Sequence, residues 1–229
     1  MNGVQTMYKR DLVLFGLDGV LVDLATLRAR AWAEALTAAG AKVDEGALLA
    51  RLEGVADHAF VHSIEAETGE RLPEGFVADM TARLRAAIAA ELQPVDEVQG
   101  ALRRLRGRHA VVALSGVGVT RAALEKVGLW RTFISATFTA EQVERMPPAP
   151  DLYQFAASQL GVPASRCLVI ESTVHGVRGG KAAGMTVFGF AGAASTLAEA
   201  QAKRLAAAGA DLVFDRMREL APLVGARAA

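Results

Sequence analysis

Short unbroken apolar runs alternate along this chain with longer stretches in which apolar residues recur every three to four positions. The runs are "LVLFG" (Leu12 to Gly16), "AVVALS" (Ala110 to Ser115), "CLVIES" (Cys167 to Ser172), "TVFGF" (Thr186 to Phe190) and "DLVF" (Asp211 to Phe214). Each is rich in β-formers and apolar at consecutive positions, the pattern of strands covered on both faces of a parallel sheet. The helical-period stretches run from Thr120 to Val127, Asp151 to Leu160, Val174 to Ala183 and Ala198 to Ala208. They are followed by Gly128, Gly161, Gly184 and Gly209, where a left-handed C-cap belongs. Strand and helix in alternation predict an α/β, Rossmann-like doubly wound parallel sheet.

One segment breaks the alternation. From Leu24 to Gln93 there are helical patterns and no convincing strand. "LATLRARAWAEALTAAG" and "EGFVADMTARLRAAIAAEL" are the clearest amphipathic stretches. The expected organisation is a core formed by 1–23 and 94–229, with a small helical cap at 24–93. Pro94 marks the return to the core. Ligands of open α/β sheets bind outside the carboxyl ends of the strands. Asp18, Ser115, Glu171 and Ser172 are the polar residues expected there, with the cap placed to close over them.

With 229 residues, 52% of them hydrophobic, the chain can build a sizeable core. Lys plus Arg number 25, and so do Asp plus Glu. That balance gives no electrostatic footprint for nucleic acid or for an anionic membrane. The opening "MNGVQTMYKRD" is too polar for a signal peptide, and the apolar runs are too short for a membrane helix. The lone cysteine, Cys167, excludes an intramolecular disulfide framework and reads as a small core residue. The expectation is a cytoplasmic protein with no nucleic-acid or membrane partner; the sequence names no protein partner.

Three stretches carry the chemistry: "GLDGVLVD", "VVALSG" and "MPPAPDLYQFAASQLGVPASRCLVIESTVHGVRGGKAAGM". Together they resemble the four motifs of the haloacid dehalogenase (HAD) superfamily. The branch is that of phosphatases and phosphomutases with a helical cap, the 6-phosphogluconate phosphatase and β-phosphoglucomutase-like proteins. The resemblance implies a HAD-like core and phosphoryl transfer from small phosphorylated metabolites. It implies an aspartate nucleophile, a second acid two residues on as general acid and base, and a hydroxyl and a lysine on the phosphoryl oxygens. It also implies Mg²⁺ held by carboxylates and a backbone carbonyl.

Placed on this sequence, the pattern is broken where it matters most. The nucleophile position is Gly16, the lysine position is Pro147, and the fourth motif's acidic pair is Glu171 and Ser172. Asp18 remains at the acid/base position, and its carbonyl is the family's metal-ligand position. Ser115 and Gly116 remain for the phosphate. Glu171 and the Asp18 carbonyl are then the only expected metal ligands, for a weak Mg²⁺ site at best. Groups that act as one catalytic unit are non-additive, and losing a nucleophile alone costs on the order of 10⁶-fold in turnover in the protease case. The reading is therefore a phosphatase-like protein that is silent or severely impaired and keeps a phosphometabolite as ligand. Two alternatives stay open: an active phosphomonoester hydrolase with altered chemistry, and a structural or protein-interaction module.

Each of these residues also has a plainer role. Asp18 suits a turn that caps local amides, Gly16 a strand end that lets backbones approach, and Ser115 a helix N-cap. His58 and His62 lie four apart without a third ligand. His175 follows the fourth motif. Arg145 precedes Pro147 and Pro148, whose rings stiffen the segment.

Overall fold

The computed structural model describes residues 11–193 and 197–225. In chain order the elements are β1 (Leu12–Gly16), α1 (Ala25–Ala38), α2 (Glu45–Leu52), α3 (Asp57–Thr68), α4 (Phe76–Glu91), α5 (Val98–Arg104), β2 (Arg108–Ala113), α6 (Val117–Lys126), α7 (Trp130–Phe133), β3 (Thr137–Thr139), α8 (Asp151–Gln159), β4 (Cys167–Glu171), α9 (Val174–Ala182), β5 (Thr186–Phe190), α10 (Ala198–Ala207), β6 (Leu212–Phe214) and α11 (Leu220–Val224). The strands form a parallel sheet in the order β3-β2-β1-β4-β5-β6. This is the doubly wound order, in which the chain works outward from β1 first on one side and then on the other.

β1 shows why the continuous apolar runs form buried strands. Leu12 and Leu14 point into a core layer with Leu152, Tyr153 and Val177 of α8 and α9. Val13 and Phe15 point into the opposite layer with Leu102, Leu124 and Leu220 of α5, α6 and α11. Both faces are covered, so no polar alternation is needed. Gly128, Gly161, Gly184 and Gly209 all take positive φ just past their helices, as C-caps require. The expected strand at 110–115 instead runs Arg108–Ala113, and β3 was not expected at all. At three residues, on the sheet edge, β3 is too short for periodicity to reveal.

Between β1 and α5 the segment is helical. Val22 bridges Pro94 antiparallel, and the Val95 N–H donates to the Leu21 carbonyl at 3.0 Å, so the outgoing and returning connections run side by side. Inside this segment Arg28 is buried on α1, in helical phase with Trp32 and Ala35. Its Nε and Nη2 donate to Asp57 Oδ1 at 3.0 and 2.7 Å, and its Nη1 and Nη2 donate to the carbonyls of Leu52 and Val55. Trp32 Nε1 donates to the same Asp57 oxygen at 2.9 Å. The Asp57 carboxylate thus joins α1 to the start of α3, and the Arg28 guanidinium joins α1 to the end of α2 and the loop after it. Among the described residues no helix is long and apolar enough to cross a membrane.

Removing one partner of a buried ion pair leaves an uncompensated charge. Asp57→Ala is therefore expected to cost about 3 kcal/mol in urea unfolding, as a lower midpoint with an unchanged slope. An unchanged midpoint would show that the node adds nothing to stability.

Candidate active site and its geometry

The sheet order brings the sequence-identified positions together. β1 lies between β2 and β4, with Gly16 beside Val112 and Phe15 beside Ile170. The loops after these three strands, with Pro147, enclose a small pocket lined by Gly16, Asp18, Ser115, Pro147, Tyr153 and Glu171. Its volume is about 50 Å³, room for roughly four waters.

The floor of this pocket is filled by Glu171. A Cβ built on Gly16 would lie 3.1–3.3 Å from the Glu171 carboxyl atoms, so that side chain crosses the space a residue-16 side chain would enter. On the other side the carboxyl presses on Gly176 so closely that a Cβ there would overlap it. Tyr153 OH donates to Glu171 Oε1 at 2.8 Å, and the Ser172 N–H donates to Oε2 at 3.2 Å. Burial is the main cause that raises the Glu171 pKa to about 7, against the lowering effect of these hydrogen bonds. Burial, then the neighbouring Glu171, holds the Tyr153 phenol well above its ordinary value, so it stays a donor.

Asp18 follows a tight turn. Gly19 at φ 71° donates its N–H to the Val22 carbonyl, and Asp18 Oδ1 accepts the Leu24 N–H at 2.8 Å. The local-cap role and the site role therefore coincide in one side chain. Burial raises its pKa to about 6, opposed by the Leu24 amide and by Arg28. The Asp18 carbonyl accepts the Ser172 hydroxyl at 2.8 Å, so two positions that the family would turn toward a metal are bonded to each other.

Ser115 lies at the pocket wall, but it is not the helix cap. Gly116 occupies the N-cap of α6 without a side-chain bond, because the chain leaves β2 two residues before Ser115. Glu141 Oε2 instead accepts the Val117 N–H at 3.1 Å. Arg145 is exposed and pairs with Asp151 Oδ1 at 3.0 Å, so it does not take the lysine's place. Pro147 packs toward Gly179, where a Cβ would lie 3.3 Å from the ring. His58 and His62 are exposed, and no cluster of three potential metal-ligating side chains occurs among the described residues. His175 sits under the Gly54 turn instead. Cys167 is buried at the start of β4.

The ion this donor set must be matched against is Mg²⁺. Phosphatases of this family generally use that ion, and Mg²⁺ takes an octahedron of oxygens, usually with one or two carboxylates. Here the pocket offers Glu171, committed to Tyr153, and a carbonyl committed to Ser172. These residues do not fit the ion.

A second, larger cavity of about 360 Å³ opens on the β4–β5 side of Asp18, between α1, α2 and α10. Glu53, from the turn after α2, reaches α10: Arg204 Nη2 donates to its Oε2 at 2.6 Å and Gln201 Nε2 to its Oε1 at 3.3 Å. Gln201 Nε2 also donates to the Ser172 carbonyl. The sequence did not single out Tyr153, Arg28, Glu53, Gln201 or Arg204. Only Arg28 left a signal, as a charge in phase with an apolar helical stripe.

A family profile for haloacid dehalogenase-like hydrolases matches residues 10–184. The fructose-1-phosphate phosphatase YqaB of Escherichia coli is 27% identical over 78% of this chain and 96% of its own length. A β-phosphoglucomutase of Mycobacterium bovis is 30% identical over 90% of each chain. The crystal structure of a haloacid dehalogenase-like protein of unknown function from Agrobacterium tumefaciens superposes with a TM-score of 0.77 at 32% identity, covering 95% of this chain and 98% of that one. With the sheet order, the motif positions and these likenesses in agreement, this chain belongs to the haloacid dehalogenase-like hydrolase family and is phosphatase-like within it.

Proposed function

We propose that this chain is a phosphatase-like protein that has lost phosphoryl-transfer turnover and persists as a binding protein, with residues 24–93 as its cap. One observation carries the reading: the Glu171 carboxyl lies where a nucleophile's side chain would leave Gly16, and Tyr153 holds it there. No acceptor exists at residue 16 for a phosphoryl group. Asp18 has nothing to hand a proton on behalf of, and Pro147 supplies no cation to the transferring oxygens. The commitment of Glu171 and the Asp18 carbonyl supports loss of the Mg²⁺ site. Ser115, at the wall of the small pocket, and the neighbouring Gly116 are what remains for a phosphate. A phosphorylated metabolite is then held weakly and released intact. Direct activation of water by Glu171 is disfavoured because both of its oxygens already accept hydrogen bonds.

With Mg²⁺ and a broad panel of phosphomonoesters, the wild-type protein is expected to release no more phosphate than Asp18→Asn. Turnover that Asp18→Asn abolishes would falsify the silent reading. Gly16→Asp alone is expected to stay inactive and to lose about 1–3 kcal/mol of stability, because it sets a second carboxyl against Glu171. Gly16→Asp combined with Pro147→Lys and Ser172→Asp is expected to gain Mg²⁺-dependent hydrolysis of small sugar phosphates.

The second prediction concerns pH. Glu171 keeps its proton to about pH 7 when folded, against an ordinary value of 4.5. Between these values the folded state binds more protons than the unfolded one, so stability falls as pH rises through the window and levels off above it. Asp18 acts in the same direction up to about pH 6. Glu171→Gln cannot ionise. Its melting temperature is expected to gain on the wild type through that window, to a plateau worth about 3 kcal/mol. Parallel melting-temperature curves for the two proteins would show that Glu171 is not held protonated.

A further inference from the structure

The 360 Å³ cavity beside Asp18 is within the range of small-molecule sites, and its walls do not suit the phosphorylated ligands of the family. Leu49, Leu52, Phe190, Ala193, Leu197 and Ala200 give it an apolar wall. Leu197, at its rim, is 83% exposed, the most exposed large apolar side chain among the described residues. The charged groups in the wall are two cations, Arg28 and Arg204, and two carboxylates, Asp18 and Glu53. Arg204 is bound to Glu53 at 2.6 Å. Arg28 is bound to Asp57 at 2.7 Å and to two backbone carbonyls. Neither guanidinium is left to neutralise a phosphate, and an incoming anion would face the carboxylates of Asp18 and Glu53. A cation would meet the two arginines.

We infer that this cavity binds an uncharged, mainly apolar small molecule that places one hydroxyl or N–H donor against Asp18. Apolar area leaving water, including that of Leu197, supplies the affinity. The Asp18 carboxylate, at the end next to Thr173, fixes the orientation. The Glu53–Arg204 contact holds α2 against α10, so the cavity is already formed before the ligand arrives and little ordering cost is added on binding. The inference stands on the cavity walls alone; hydrolysis of a phosphomonoester by the wild-type protein would overturn the proposed loss of turnover and leave this binding intact.

The test uses the neutral fluorophore N-phenylnaphthylamine, titrated into the full-length protein. Saturable one-site binding is expected for the wild type. Ala200→Trp, on an exposed face of α10, fills the cavity and is expected to raise Kd by at least about tenfold. Leu197→Asp removes the apolar rim and adds a carboxylate at the N-cap of α10, where aspartate is favoured; it is expected to weaken binding while the melting temperature holds. Millimolar inorganic phosphate or hexose phosphate is expected to leave the probe's Kd unchanged. Absence of saturable binding to the wild type would overturn the inference. So would wild-type affinity in both variants, or displacement of the probe by phosphate or by a hexose phosphate.

Discussion

The pairing of β1 on both edges sets everything else at the site. It pairs with β2 along all five residues on one side and with β4 along Leu12 to Phe15 on the other, in register. Their side chains enter two separate core layers. A strand buried on both faces and paired on both edges cannot slip, because a shift of one residue would exchange the two layers. The turn after it is therefore fixed in space. It meets loops that arrive from about 100 and 150 residues further along the chain.

At that fixed point the substituted positions behave as one repacked unit. Gly16 leaves a space, and Glu171 enters it with Tyr153 and the Ser172 amide as partners. Ser172 in turn bonds the Asp18 carbonyl. An aspartate at residue 16 and another at 172 would crowd a buried Glu171 with like charge, and without a cation such a cluster is unfavourable. Tyr153 and the Ser172 amide satisfy the Glu171 oxygens and burial favours its neutral form, so the cluster needs no cation. The hydrogen bonds explain how the altered set remains compatible with a folded core.

The helical segment adds a second constraint. Arg28 and Asp57 tie α1 to the loop after α2, and Glu53 of that loop grips α10 across the cavity. Of the charged groups that line the cavity, Glu53 and Arg204 join the segment to the core, and Arg28 is paired within the segment. A cavity whose cations are already paired selects by shape, apolar area and the Asp18 acceptor, which is a different basis of recognition from that of a phosphate site.

The fold was legible in the sequence because continuous apolar runs, helical periodicity and terminal glycines each respond to short-range physics. β1, β5 and the four glycine C-caps follow directly from it. Edge strand β3 was not legible, since three residues carry no period. The positions Gly16, Asp18, Ser115, Pro147, Glu171 and Ser172 were legible as a set because each sits at the end of a readable strand or in a recognisable motif. What fills the space beside Gly16 was not. Whether a glycine leaves a void, a water or a neighbour's side chain depends on groups far away in sequence. Tyr153, one turn into an ordinary helix, carries no local sign that its hydroxyl will hold Glu171. By itself the sequence determined the sheet, the family and the glycine at residue 16. Only the tertiary structure decided that Glu171 lies against Gly16, that Ser172 closes on Asp18, and that the two arginines in the wall of the larger cavity are paired, because each of these is a contact between residues that chain order keeps apart.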